Sequence, residues 1–202
     1  MPDPEGQRPA PAPRRLAREA RRRQLVAAAM PLAARHGLLE LSLPDIAARA
    51  GVTRNLLYHY FPRGRADVVL AVVAEAERQL TADWTGHPAP APDQTNAAGL
   101  AAMLHHALAP THAWRIHRMA TGHSDPEVRT VVGDGAQRVV EALSRAYFGT
   151  AGPPPLVNVA LRGYLGFAEA ALDSGRVAGR PRAELARLLD DLLRAALDAG
   201  RR

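Results

Sequence analysis

Residues 42–65, SLPDIAARAGVTRNLLYHYFPRGR, have the pattern of two short helices joined by a tight turn. Ser42 stands three residues before Asp45, a spacing similar to a capping box, in which a hydroxyl accepts a hydrogen bond from the first helical turn. Gly51 suits the end of the first helix, because a left-handed backbone costs glycine little. Thr53 is placed to cap the second helix. The pattern therefore predicts a helix-turn-helix, whose second helix lies in the major groove of DNA.

The second of these helices has a polar face made of hydrogen-bond donors and rings, without a carboxylate. Its members are Thr53, Arg54, Asn55, Tyr58, His59 and Tyr60. Arginine can read guanine and asparagine adenine, while hydroxyls reach phosphates. The alternative is an ordinary solvent-facing helix, but such faces usually mix both signs of charge. We therefore predict that these residues contact DNA, with Ser42 as a further candidate at the start of the preceding helix.

The run DIAARAGVTRNLLYHYFPRGRADVV, residues 45–69, resembles the DNA-binding signature of the tetracycline-repressor (TetR) family of transcription regulators. The resemblance covers residues 16–70. It implies an all-helical homodimer that binds a palindromic operator in double-stranded DNA until a small-molecule effector in the C-terminal domain releases it. It also implies that Arg65 contacts a phosphate, where the family commonly has lysine. Asn55 and Leu56 depart from the family pattern, which bears on the operator sequence rather than on DNA binding.

The distribution of charge supports a nucleic-acid partner. All 26 basic residues of the 202-residue chain are arginine, and the net charge is +6. Residues 1–65 hold 12 arginines against five acidic residues, a net charge of +7, whereas residues 66–202 hold 14 against 15, a net charge of −1. Genome base composition would favour arginine over lysine but would not confine the excess to one end. A basic segment beside a near-neutral one is typical of nucleic-acid binding.

Three segments are expected along the chain. Residues 1–13 are rich in proline and predict a disordered tail. Residues 14–64 are expected to form the DNA-binding domain, and residues 65–202 a helical domain for ligand binding and dimerisation. No apolar run approaches the ~20 residues that span a bilayer, and the N-terminus lacks the apolar segment of a secretory signal. We therefore expect a cytoplasmic protein without membrane contact; the absence of cysteine excludes disulfides and thiolate chemistry.

A first long helix is predicted over residues 14–36, and its N-terminal half is crowded with arginine. Cations at that end oppose the helix dipole, and bound phosphates would remove the penalty. We therefore assign this cluster, including Arg14, Arg15 and Arg18, to the DNA backbone. Pro31 lies inside the helix and predicts a kink near Ala27, because proline removes a backbone hydrogen bond.

Further helices are predicted after residue 64. One spans residues 65–84 and connects the two domains. Another is opened by a capping box, SDPE at residues 124–127, reaches Phe148 and is weakened by Gly133 and Gly135, at ~1 kcal/mol each relative to alanine. The last two, at residues 156–174 and 181–199, have wide apolar stripes that suit a four-helix dimer interface. The predicted interface residues are Tyr164, Leu185, Leu188 and Leu192. The alternative is that both stripes close the core of a single chain.

A few aromatic, methionine and histidine side chains of the C-terminal domain are candidates for a ligand site. Apolar sites combine aromatic rings with a few polar anchors, and the candidates are Trp84, Met103, Trp114, His117 and Phe167. Each is otherwise a core residue. Because charged residues are few in this segment, we expect a largely apolar effector.

Two other classes of function remain open. One is a helical metal-dependent enzyme that uses the histidines of residues 105–123, although no pair of them has the i, i+4 spacing that brings two imidazoles together for one ion. The other is a protein that binds RNA or an acidic partner through charge alone. No glycine-rich phosphate loop, dinucleotide fingerprint or nucleophile motif is present. We therefore expect no catalysis, no cofactor and no metal.

Overall fold

The computed structural model describes residues 18–85, 111–172 and 179–198. All regular secondary structure in these ranges is helical, which confirms the predicted all-α class. None of the helices described combines the length and the apolar character needed to cross a bilayer. The helices are α1 Arg18–His36, α2 Leu43–Ala50, α3 Arg54–Tyr60, α4 Arg65–Thr85, α5 His112–Thr121, α6 Pro126–Phe148, α7 Pro155–Ala171 and α8 Arg182–Asp198.

The ends of α2 and α3 are set by the predicted capping residues. Ser42 Oγ accepts a hydrogen bond from the N–H of Asp45 at 3.3 Å, and Thr53 Oγ1 accepts one from the N–H of Leu56 at 3.3 Å. Gly51 ends α2 with φ +66°, in the left-handed region that favours glycine. The ends of both helices are therefore encoded locally, in residues at most four positions apart.

Helix α1 continues through Pro31 to His36. Gly37 ends it with φ +96°, and its N–H donates to the Ala33 carbonyl at 2.9 Å. The helix is described from Arg18, so Arg14, Arg15 and the predicted tail lie outside the described residues. The kink expected near Ala27 stays a prediction.

Helix α6 begins at a different cap from the one predicted. The side chain of Asp125, not that of Ser124, accepts a hydrogen bond from the N–H of Glu127 at 2.8 Å. The reason is Pro126. Proline suits the first helical position, because a backbone N–H at that position would have no partner within the helix. The residue directly before it then becomes the cap.

Two apolar clusters form the core. The first joins α1, α2, α3 and α4 with parts of α5 and α6, and the second joins α6, α7 and α8 with Trp114. Helix α4 packs on both α5 and α6. The core under the helix-turn-helix therefore continues beyond residue 64, the predicted domain boundary, because α4 supplies its largest apolar face.

Candidate DNA-binding surface and ligand cavity

Helix α3 is anchored by one side and exposed on the other. Leu57 is fully buried in the first core cluster. Arg54, Asn55, Tyr58 and His59 are exposed, as is the capping Thr53. Tyr60 is half-buried against the core, with its ring edge-on to His59 at 5.3 Å between centroids. The predicted polar face is thus presented outward, except that Tyr60 contributes chiefly to packing.

Two other predicted contacts have roles within the fold. Ser42 is half-buried and caps α2. Arg65 is exposed, and its Nη1 donates to the Leu39 carbonyl at 2.7 Å. This bond holds the loop before α2 against the start of α4, so Arg65 positions the helix-turn-helix whether or not it also contacts a phosphate.

The arginines of α1 divide into two groups. Arg18 is exposed. Arg22 lies over the ring of Phe61, 5.2 Å from its centroid, and Arg21 donates to Gln24 at 2.6 Å. Arg22 therefore docks α1 against the residue that ends α3, and the assignment of the arginine cluster to the DNA backbone stays a prediction.

A cavity of about 70 Å³ lies between α4, α5, α6 and α7, and the empty space reaches about 540 Å³ when its solvent-filled mouth is counted. His117 on α5 is buried at its centre. Its Nδ1 lies 2.7 Å from Glu77 Oε1 on α4, and its Nε2 lies 3.2 Å from Glu169 Oε1 on α7. The lining residues are Glu77, Leu80, Thr81, Trp114, His117, Gly135, Ala136, Val139, Leu165 and Glu169.

The protonation of His117 follows from these contacts. Burial lowers the pKa of the imidazole, but hydrogen bonds and charges from Glu169 and Glu77 outweigh burial and raise the pKa to about 9. The ring is therefore an imidazolium at neutral pH, with each nitrogen donating to a carboxylate. Trp114 stacks on it, with 5.6 Å between ring centroids and 26° between the planes.

Gly135 on α6 makes room for the first of these carboxylates. A Cβ at this position would lie 2.2 Å from Glu77 Oε2 and 3.3 Å from Glu77 Cβ. The sequence predicted only that this glycine weakens the helix. In the structure its missing side chain is what allows α4 and α6 to approach with Glu77 between them.

Of the predicted ligand residues, the structure brings Trp114 and His117 together in the cavity. Phe167 does not line the cavity, and its side chain is 47% exposed. This differs from the prediction, and the geometry of the helix explains why. Leu165 and Glu169 line the cavity, and a residue two positions from each lies on the opposite side of the helix. Met103 and the side chain of Trp84 lie outside what the structure describes.

Sequence reasoning missed both carboxylates of this site. Glu77 follows Val73 by four residues and so falls within the apolar stripe of α4, where a charge is conspicuous. That signal was available in the sequence. The cavity thus has a charged cluster beside its apolar walls, and the largely apolar effector that we expected stays a prediction.

The four residues predicted for the dimer interface differ in how far they are buried within the single chain. Tyr164 and Leu185 are buried in the second core cluster of the chain itself, so assigning them to an interface was wrong. Burial, followed by the nearby Asp190 carboxylate, also raises the pKa of Tyr164. Leu192 is half-buried against the same cluster, and Leu188 is 44% exposed. The large apolar side chains exposed on α7 are Leu156, Val159 and Phe167.

The remaining histidines do not converge. His112 is exposed, and His123 Nδ1 accepts a hydrogen bond from the N–H of Asp125 at 3.1 Å. His105 and His106 lie outside the described residues. Within the ranges that the structure covers, no group of three histidine, aspartate or glutamate side chains is arranged to hold a metal ion.

Comparison with known proteins gives a family match in the N-terminal part of the chain. Residues 25–72 match the model for bacterial regulatory proteins of the tetR family. The uncharacterised HTH-type transcriptional regulator TtgW of Pseudomonas putida is 35% identical over 74 residues, which are 36% of this chain and 54% of that protein. The chain thus spans about half the length of this relative.

Solved structures share the fold over most of the chain. A tetR-family transcriptional regulator from Streptomyces coelicolor is 24% identical with a TM-score of 0.69, covering 92% of this chain and 83% of that one. The multidrug binding protein EbrR, complexed with ethidium, is 20% identical with a TM-score of 0.62, covering 85% and 98%. Residues 25–72 therefore carry the segment that is typical of bacterial regulatory proteins of the tetR family, and the described helices share the fold of these solved structures.

Proposed function

We propose that this protein is a sequence-specific DNA-binding transcription regulator: a homodimer that represses from a palindromic operator and is released by a small-molecule effector. The observation that carries the proposal is the outer face of α3. Arg54, Asn55, Tyr58 and His59 are exposed there without a carboxylate. Capping by Thr53 and burial of Leu57 hold this face rigidly for insertion into a major groove.

The N-terminal and C-terminal parts of the chain have different functions in this proposal. Residues 14–64 contact DNA, and residues 65–202 bind the effector and form the dimer. Helix α4 belongs to both parts, because Val68 and Val72 pack in the core of the helix-turn-helix while Glu77 and Leu80 line the cavity. A ligand that binds one position of α4 more tightly than another shifts the spacing of the two DNA-binding heads.

Dimerisation is supported by the apolar surface on the last two helices. Leu156 and Val159 on α7, with Leu188 on α8, are large side chains left in water by the single chain. A second copy would cover them and set two recognition helices ~34 Å apart, the spacing of palindromic half-sites.

The effector site of this proposal is the cavity around His117. EbrR, a relative in fold, was solved with ethidium bound. The cavity of this chain has the mixture of apolar walls and few polar groups that is typical of small-molecule sites.

Footprinting on the DNA that flanks the gene, across a salt series, tests the proposal. We expect a protected palindrome, with binding that weakens by ~0.9 in log K per phosphate contact for each tenfold rise in salt. Arg54→Ala and Tyr58→Ala should each weaken operator binding by ~1–3 kcal/mol, the usual range for a base contact. Arg138→Ala, an exposed arginine on α6, is the matched control. Sequence-independent binding that is insensitive to both α3 variants would contradict the proposal.

A further inference from the structure

The cavity carries an excess of negative charge. Its described lining contains two carboxylates, Glu77 and Glu169, and one group that can be positive, His117. With all three ionised, the sum is −1. None of the lining residues described is an arginine or a lysine that would balance it. Because an uncompensated buried charge is costly, the cavity favours a cation and disfavours an anion.

The imidazolium of His117 uses only part of the hydrogen-bonding capacity of the two carboxylates. It reaches one oxygen of each, Oε1 of Glu77 and Oε1 of Glu169. An ionised carboxylate has two oxygens and about four lone-pair directions. Each carboxylate therefore keeps the capacity to face a second positive group.

The other walls are suited to an apolar body. Leu80, Val139 and Leu165 line the cavity, and the indole of Trp114 forms part of the same wall. An indole face attracts cations through its quadrupole, most strongly where water is excluded. Apolar walls, an aromatic ring and excess negative charge together select for a molecule that is both lipophilic and positive.

We propose that the effector is a lipophilic monocation, such as a quaternary ammonium or a protonated amine on an apolar frame, whose charge is held by Glu77 and Glu169. The inference rests on the proposed function, since it names the ligand class of the same cavity. It also explains why Gly135 lies opposite Glu77: a larger residue would displace the carboxylate that the ligand needs.

Three small probes of similar shape separate charge from hydrophobicity. Benzyltrimethylammonium is the cation, neopentylbenzene is its neutral counterpart with carbon in place of nitrogen, and benzylsulfonate is the anion. Binding to the full-length protein without DNA is measured by calorimetry and by tryptophan fluorescence. We expect the cation to bind at least tenfold more tightly than the neutral probe, and the anion to bind most weakly.

Variants assign the preference to the two carboxylates. Glu169→Gln and Glu77→Gln keep side-chain size, and Glu169 is the more accessible, so its replacement is the gentler change. Each should reduce the preference for the cation, and the double variant should abolish it. Asp134→Asn removes an exposed charge from α6 and should leave the preference unchanged. Circular dichroism verifies that every variant is folded.

Failure of this inference is distinguishable from failure of the proposed function. Equal or tighter binding of the neutral probe, no binding of the cation, or a preference that persists in the double variant would each overturn the cationic effector. The same protein is tested for operator binding. Operator binding without cation binding rejects only the inference, whereas cation binding without any operator rejects the proposed function.

Discussion

Arg63 and Glu127, 64 residues apart, form a bidentate salt bridge between the turn after α3 and the first turn of α6. Nη1 donates to Oε1 at 3.1 Å, and Nη2 donates to Oε2 at 3.0 Å. Nε of the same guanidinium donates to Asp67 Oδ1 at 2.6 Å. Hydrogen bonds with Glu127 and Asp67 raise the pKa of Arg63 further above its ordinary value. One planar side chain thus connects the DNA-binding head, the start of α4 and the start of α6.

Removing the acceptor should loosen this connection without unfolding the protein. In Glu127→Ala we expect amide hydrogen exchange of residues 63–66 to become about threefold faster or more, because the turn loses an anchor. The midpoint of thermal unfolding should change little, since exposed ion pairs contribute little to stability. Glu141→Ala on the same helix is the control. A large fall in the thermal midpoint would show that the bridge holds the fold rather than the turn.

The two glycines of α6 provide a matched pair of substitutions. Around Gly133 no atom lies within 4 Å of an added Cβ. Gly133→Ala should therefore stabilise the protein by ~0.5–1 kcal/mol, because alanine favours the helix. Gly135→Ala should destabilise it, since the new Cβ would lie 2.2 Å from Glu77 Oε2. Urea unfolding measures both, and equal effects would mean that Glu77 moves aside freely.

The proposed dimer surface predicts which apolar side chains matter for assembly. Leu188→Asp and Val159→Asp should split the dimer while leaving the helical content intact, because both side chains are exposed on one chain. Leu185→Asp should instead unfold the protein, since this side chain is buried in the second core cluster.

Leu39→Asp is the control for adding a charge, because Leu39 is 67% exposed and lies before the helix-turn-helix. Sedimentation velocity measures the assembly state. If Leu188→Asp sediments as the parent protein does, the interface lies elsewhere.

The buried imidazolium predicts a pH dependence of stability. His117 has a pKa of about 9 in the folded protein, against 6.5 for the ordinary side chain, because Glu169 and Glu77 outweigh its burial. A raised pKa favours the protonated form in the fold. Its contribution, on the order of 3 kcal/mol at 1.36 kcal/mol per pKa unit, is complete below pH 6.5 and is lost as the pH rises through about 9.

The measurement is the free energy of unfolding between pH 6 and pH 10, for the parent protein and His117→Gln. The difference between them should shrink as the pH rises. A constant difference across this range would contradict a protonated ring between the two carboxylates.

The helix-turn-helix follows from the order of residues alone. Caps at Ser42 and Thr53 and the left-handed Gly51 act on backbone groups within a few residues. The polar character of α3 also follows from its own composition. Such interactions are local, so their partners are known once the order of residues is known. The family signature lies in this same segment, residues 25–72.

The chemistry of the cavity and the apolar surface left exposed depend on how distant helices pack. Glu77 and His117 are 40 residues apart, and nothing in the spacing of either predicts their 2.7 Å contact. Likewise, Tyr164 and Leu188 both belong to apolar stripes, yet one is buried within its own chain and the other remains exposed. An apolar stripe predicts that a helix face will be covered. Which helix covers it, and which ionisable groups meet beneath, depends on how α4, α5, α6 and α7 pack.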